Sequence, residues 1–503
     1  MRLLPVLLAT LTFGAGVAVA APASAHGDRA RLEEVRAALL AEGEGTPILS
    51  ANVQHVATRP GQAGISGCFM RTAPLFVTSG LDTLKVWDVS DGTNPTVVGT
   101  LPHLVFENEA MNCGERRTAS GRKRFALVGV DLYQASPDDP QHTNAGGNEL
   151  VVVDVTDPTA PAIRSRVPAL TSTHTVACVE QTDCRYAYSA GDSGRFSVFD
   201  LRRLAKPVEV DGNPNKPGLQ PFRSPTAGHK WNFDSAATGT HTGFGGSSMW
   251  RVDKPRHPRL ITTTGAAGAG ADPDAPGYND FIHHNSFRPN AENFKPGSRP
   301  SLAHGNVLLV TEEDYEQTDC SQAGSFQAWH VRHLDGRKSA IVPLDKVELA
   351  DLQAEQPGSL PLPRGTFCSA HWFDYRPGGI VAVGYYGGGT QFIDARDPRN
   401  LRSFGYASWG ASEVWDSMWL PVYDGKGRQT GRTSNVVYSI DLVRGLDVYS
   451  VDVPGDGRGA APAPEVTAQR SIVDRAQDGV VPLGLVGTAM VLTVGVRRRR
   501  ATG

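Results

Sequence analysis

Short apolar runs that break into polar, usually proline-bearing turns recur seven times along the chain. Leu84-Lys85-Val86-Trp87-Asp88-Val89 leads to Pro95, and Leu150-Val151-Val152-Val153-Asp154-Val155 leads to Asp157-Pro158. Phe196–Leu201, Ser248–Val252, Phe326–Val331, Gln391–Ala395 and Leu446–Val451 continue the series. Ahead of several of them lies another apolar run, as in Pro74–Val77, Asn306–Val310, Ile380–Val383 and Val436–Ile440. Runs of this length, rich in Val, Ile and aromatics and bounded by Gly and Pro, predict strands. No stretch between the first and last copies holds a helical period; Arg31–Leu40 is a candidate short helix ahead of them.

A single β-unit of this size cannot bury its apolar faces alone, so the copies must stack on one another. Four strands per repeat and seven repeats predict an all-β, seven-bladed β-propeller over 48–453. Residues Ile48–Ala57 precede the first full repeat and are expected to supply the outer strand of the last blade. The stretches 135–147 and 289–304 are expected as surface loops. An open β-solenoid is the competing arrangement, but it fits the irregular repeat spacing less well.

The ends of the chain give it an address. Residues 1–25 combine Arg2, an apolar stretch and Ala23-Ser24-Ala25, a secretory signal with its cleavage site. A segment 26–47 follows, then the repeats, then a linker 454–479 that opens rich in Pro, Gly and Ala. Residues 480–496 carry no charge and run into a basic tail, 497–503, that begins Arg497–Arg500. That pattern predicts a transmembrane helix with the arginines on the cytoplasmic side and the repeats exported, membrane-anchored, outside. No Leu-Pro-x-Thr-Gly sorting signal is present.

Six cysteines agree with an oxidising compartment, and no Cys-x-x-Cys occurs. Proximity of repeats suggests Cys68 with Cys113, Cys178 with Cys184 and Cys320 with Cys368, with other connectivities open. A net charge of −3 with mixed signs gives no basis for a nucleic-acid partner. The expected partners are the membrane and an extracellular ligand or protein, met as a monomer.

The candidate chemistry lies in the first strand of each repeat. Aligning these strands places His174, His229, His283 and His371 in one register, with Glu109 in the second repeat and Glu413 just ahead of Trp415 in the last. Innermost strands of a propeller start at one mouth of the channel, and second strands end there, bringing Asp131, Asp192, Glu312, Glu313 and Asp441 to the same place. Imidazoles backed by carboxylates suit a transition-metal ion, with Fe, Cu, Zn and Mn all open. The four histidines are the candidate ligands, and Glu109, Glu312 and Glu413 the candidate supports. A structural role, tying blade to blade, is the competing explanation. Glu312-Glu313-Asp314 lacks the oxygen-rich spacing of a calcium loop. No Gly-x-Ser-x-Gly, P-loop or His-Glu-x-x-His appears, so hydrolase and nucleotide functions have no motif here.

The third-strand pattern resembles the LVIVD repeat of bacterial surface proteins, and Leu150–Asp154 is nearly its namesake. The resemblance spans Ile48 to Val451 and implies a propeller displayed at the cell surface as a binding protein. In its histidine arrangement the chain also looks like the carotenoid-cleavage oxygenases and the selenium-binding, methanethiol-oxidase-like proteins, without their extended motifs. Those resemblances imply a metal-dependent oxidoreductase as the alternative function.

Overall fold

The computed structural model describes residues 47–453 apart from 61–63, 81–82, 103–108, 110, 120, 132–147, 192–193, 265–276, 279–280, 315, 318, 338–339, 357–367 and 410–411. The expected signal peptide, candidate helix 31–40, linker, membrane span and basic tail lie outside these residues, as does the loop 135–147. Among the described residues, no helix is long and apolar enough to cross a membrane.

The chain folds as an all-β propeller. Among the described residues, six four-stranded antiparallel meanders follow in chain order, beginning with inner strands Gly64–Phe69, Asn112–Thr118, Thr175–Cys178, Ala227–Phe233, Ile282–Phe287 and Phe373–Arg376, the fourth and fifth joined through Phe244 and Ile282. The seventh sheet takes Val414–Tyr423, Gln429–Asp441 and Gly445–Val451 from the end of the body and Val53–Arg59 from its beginning. Val53 pairs with Val451 and Arg59 with Leu446, so the first long strand closes the ring. The expected closing segment, 48–57, thus supplies that strand from Val53 onward. Ile48–Leu49 instead extends the sixth sheet, pairing Ile48 with Ser408.

Burial explains why the third strands read as unbroken apolar runs. Val151 and Val153 pack with Leu75, Val77, Leu84 and Val86 of the first sheet. Leu150 and Val152, on the opposite face, pack with Val176, Ala187 and Phe199 of the third. A strand buried on both faces has no polar side to alternate with. Each such side chain contributes about 1.5–3 kcal/mol of hydrophobic stabilisation. The same arrangement recurs at every sheet-to-sheet interface, including seventh to first, where Tyr438 and Val448 meet Phe76 and Trp87.

The aspartate that ends the run is structural. Asp88, Asp154, Asp200 and Asp394 each accept the backbone N–H two residues on, at 2.8–3.0 Å. These Asx turns start the reversal into the outer strand. All three suggested disulfides are present: Cys68–Cys113, Cys178–Cys184 and Cys320–Cys368. The segment 289–304 is a surface connection with two 3-10 turns, Ala291–Asn293 and Leu302–His304.

Candidate metal centre

A recurrent irregularity aims side chains at the axis. In the inner strands of the first, fourth, fifth and seventh sheets the register slips by one residue, at Ile65, His229, His284 and Trp415. A bulge leaves its extra residue out of the ladder and re-aims its side chain. Ile65 and Trp415 form an apolar cluster with Tyr386 and Leu442. His229 and His284 instead meet His174 and His371, which sit just ahead of their own inner strands.

The four imidazoles surround Glu109. Its Oε1 lies 2.6 Å from His284 Nε2 and 2.9 Å from His371 Nε2. Its Oε2 lies 3.5 Å from His229 Nε2 and in short contact with His174 Nε2. Glu313, the last residue of the fifth sheet's second strand, adds a carboxylate 3.6 Å from His284 Nε2 and 4.0 Å from His371 Nε2. Neighbouring imidazole centroids are 4.9, 4.1 and 4.1 Å apart in the order His174, His229, His284, His371. All six residues are buried. Their donors form two groups, Glu109/His284/Glu313/His371 and Glu109/His174/His229, within each of which the atoms lie no more than 4.8 Å apart.

The surroundings prepare these groups as ligands. Burial, then the neighbouring His371 and His229, hold the His284 pKa well below the usual histidine range against the pull of Glu109, so its ring is neutral. His371 Nδ1 donates to the Trp415 carbonyl at 2.7 Å, which turns Nε2 toward Glu109 as the nitrogen that could take a metal. The Trp372 ring lies 4.0 Å from His284, and Lys230 Nζ stands 3.6 Å from the Trp372 centroid.

Three of the four histidines expected as ligands, His174, His229 and His371, come together with Glu109. His283 does not. It pairs in register with Glu312, its Nδ1 is 2.8 Å from Ser247 Oγ, and its Nε2 is 2.7 Å from the Tyr278 carbonyl. Burial lowers its pKa to about 4, partly offset by the Tyr278 hydrogen bond. The bulge puts His284 in its place. Glu312 likewise turns away, accepting from Phe281 N at 3.0 Å and Gln327 Nε2 at 3.1 Å, and Glu313 takes its position. Glu413 stands behind the centre, accepting from Trp415 Nε1 at 3.0 Å.

Tyr386 carries no motif, yet it is built into the centre. Its φ of 39° is in the left-handed region that a bulky residue rarely occupies. Reciprocal backbone hydrogen bonds with Val414, both 3.0 Å, hold it there. Its ring lies 4.8 Å from His371, and its hydroxyl donates to Glu313 in a short hydrogen bond. Burial, then the charges of Glu313 and Glu109, raise the phenol pKa well above 10, so it stays a donor. Tyr386→Phe is therefore expected to keep the fold but weaken metal binding about 10- to 100-fold, as loss of a ligand's hydrogen-bond partner typically does. Competition with a chelator measures this. Unchanged affinity would mean the hydroxyl does not set the Glu313 carboxylate.

No family model and no curated protein matches the chain. Among solved structures, it is similar to the β-propeller domain of Cps50 (Swd1) from Myceliophteria thermophila, at 12% identity over 80% of this chain and 100% of that one, with a TM-score of 0.48.

Proposed function

We propose that this chain is an exported, membrane-tethered, seven-bladed propeller that holds transition metal at its axis and binds a ligand or partner at the cell surface. The convergence of four buried histidines on the Glu109 carboxylate carries this reading. A set of buried imidazoles with one or two carboxylates suits Fe, Mn, Cu or Zn, whereas calcium and magnesium take oxygen donors. The set also exceeds the four donors of a closed structural zinc site. Three disulfides agree with a place outside the cytoplasm. The LVIVD-like third strands and the apolar 480–496 stretch support display at the membrane.

A second reading, a metal-dependent oxidoreductase, draws on Tyr386. Backbone strain in a bulky residue touching the centre is a feature of active sites. Bound metal would supply Lewis acidity or redox chemistry there, with His174, His229, His284, His371 and Glu109 as its holders and Glu313 and Tyr386 beside it.

The test is metal content of the full chain by mass spectrometry, as purified and after reconstitution with Fe, Cu, Zn and Mn. Tightly held metal whose content falls in the His284→Ala, His371→Ala double variant is expected. No metal retained under any condition would overturn the proposal and leave the histidines structural. Azide added to the copper form separates the two readings. A changed EPR spectrum marks an open coordination position and favours the enzyme, and an unchanged one favours binding.

A further inference from the structure

The two oxygens of Glu109 do not share their neighbours. Oε1 faces His284 and His371 with Glu313 behind them, and Oε2 faces His174 and His229. Only Glu109 belongs to both groups of converging donors. Six donors around one octahedral ion would all lie within about 4.2 Å of one another, twice a metal–nitrogen distance of about 2.1 Å. They would make a single group, with the carboxylate on one side of it. Here the carboxylate lies between two groups, each with its own pair of imidazoles.

We propose that the centre is dinuclear: two first-row divalent metal ions bridged by Glu109. One ion takes Glu109 Oε1, His284, His371 and Glu313. The other takes Glu109 Oε2, His174 and His229. Carboxylate bridging places such ions about 3.5–4 Å apart. This rests on the metal-binding function proposed above and adds the number of ions and the division of ligands.

The halves differ in a way that matters for ligand class. Donors to the Oε1 side come from the second, fifth and sixth sheets and include two carboxylates, with Tyr386 holding Glu313. Donors to the Oε2 side come from the second, third and fourth sheets and include Glu109 alone as carboxylate. The Oε2 ion therefore has fewer protein ligands and more net positive charge. A small anion or carboxylate that reaches the centre would bind there, or bridge both ions, in preference to a cation or neutral amine.

The full chain, stripped with chelator and saturated with Mn(II), gives the test by mass spectrometry and EPR. Two Mn(II) per chain with a spin-coupled spectrum are expected. His174→Ala and the His284→Ala, His371→Ala double variant are each expected to fall to about one ion with an uncoupled six-line spectrum, and the ion each retains shows that the fold persists. One uncoupled ion in the wild type would overturn the dinuclear centre while leaving metal binding intact. No ion in the wild type would overturn both.

Discussion

Replacing Cys68 and Cys113 together by alanine is expected to destabilise the propeller by about 4 kcal/mol, the loop-closure entropy of a bridge spanning 45 residues. The bridge links the inner strands of the first and second sheets. Its sulfurs lie in the apolar interface with Leu75, Leu84, Val128 and Val151, where alanine fits without burying a new polar group. Beside it, Met111 N donates to Ser66 Oγ at 3.0 Å, so the start of the second inner strand is fixed against the first. Glu109 lies two residues before Met111. The double variant should therefore lose metal affinity as well as stability. The urea midpoint of the oxidised protein checks the first effect, and chelator competition on the same samples checks the second. Equal midpoints for variant and wild type would show that sheet packing alone holds this interface.

The fold was legible because its repeat unit is buried on both faces. Leu150, Val151, Val152 and Val153 announce a strand between two neighbours, and Asp154 with Asp157-Pro158 announces the turn that follows. What the pattern misplaced was the start of the closing strand. Ile48, Leu49 and Val53 are all apolar enough for either partner, and position along the chain does not say which sheet edge each one meets. The structure divides them, giving Ile48–Leu49 to the sixth sheet and Val53–Arg59 to the seventh.

The site was legible to within one residue. Histidines in register across repeats marked the axis, and His174, His229, His371 and Glu109 all reach it. The errors among the candidate ligands and supports fall in the fifth sheet, where the chain doubles both signals as His283-His284 and Glu312-Glu313; Asp441, expected at the same mouth, instead accepts from Ser412 Oγ at 2.6 Å and Val443 N at 2.7 Å, and Asp192 lies outside the described residues. Adjacent residues on a strand point to opposite faces, so a one-residue slip exchanges them. The bulge between His283 and Asn285 makes that slip, and nothing in the composition of the strand records it. Tyr386 was invisible for a related reason. Its role comes from a left-handed backbone clamped to Val414 in the next sheet, a contact 28 positions along the chain.

Asp447→Ala is expected to cost about 3–5 kcal/mol, because it removes the carboxylate bonded to a buried cation. Arg444 and Asp447 side chains are each 1% exposed and bonded at 2.8 Å. The guanidinium also lies 3.3 Å from the Trp409 ring centroid, which cannot replace a carboxylate. Thr58 donates to Asp447, and His55 Nε2 lies 3.5 Å from it, so this one carboxylate binds the closing strand Val53–Arg59 to the seventh sheet. Burial alone would raise the Asp447 pKa, but hydrogen bonds from His55, Arg444 and Thr58 outweigh it and hold the value below 3.8. A depressed folded-state pKa gives stability that is fully present above the unfolded value of about 3.9 and lost as pH falls through the folded one. The wild type should thus exceed the variant in urea midpoint at pH 7, and the gap should shrink as pH falls below the usual carboxylate range and through the lowered folded-state value. Hydrogen exchange should locate the early opening in Val53–Arg59, since that strand loses its anchor while the other sheets keep theirs. A midpoint gap that persists unchanged in acid would mean that packing around Arg444 and Trp409, and not the carboxylate charge, closes the ring.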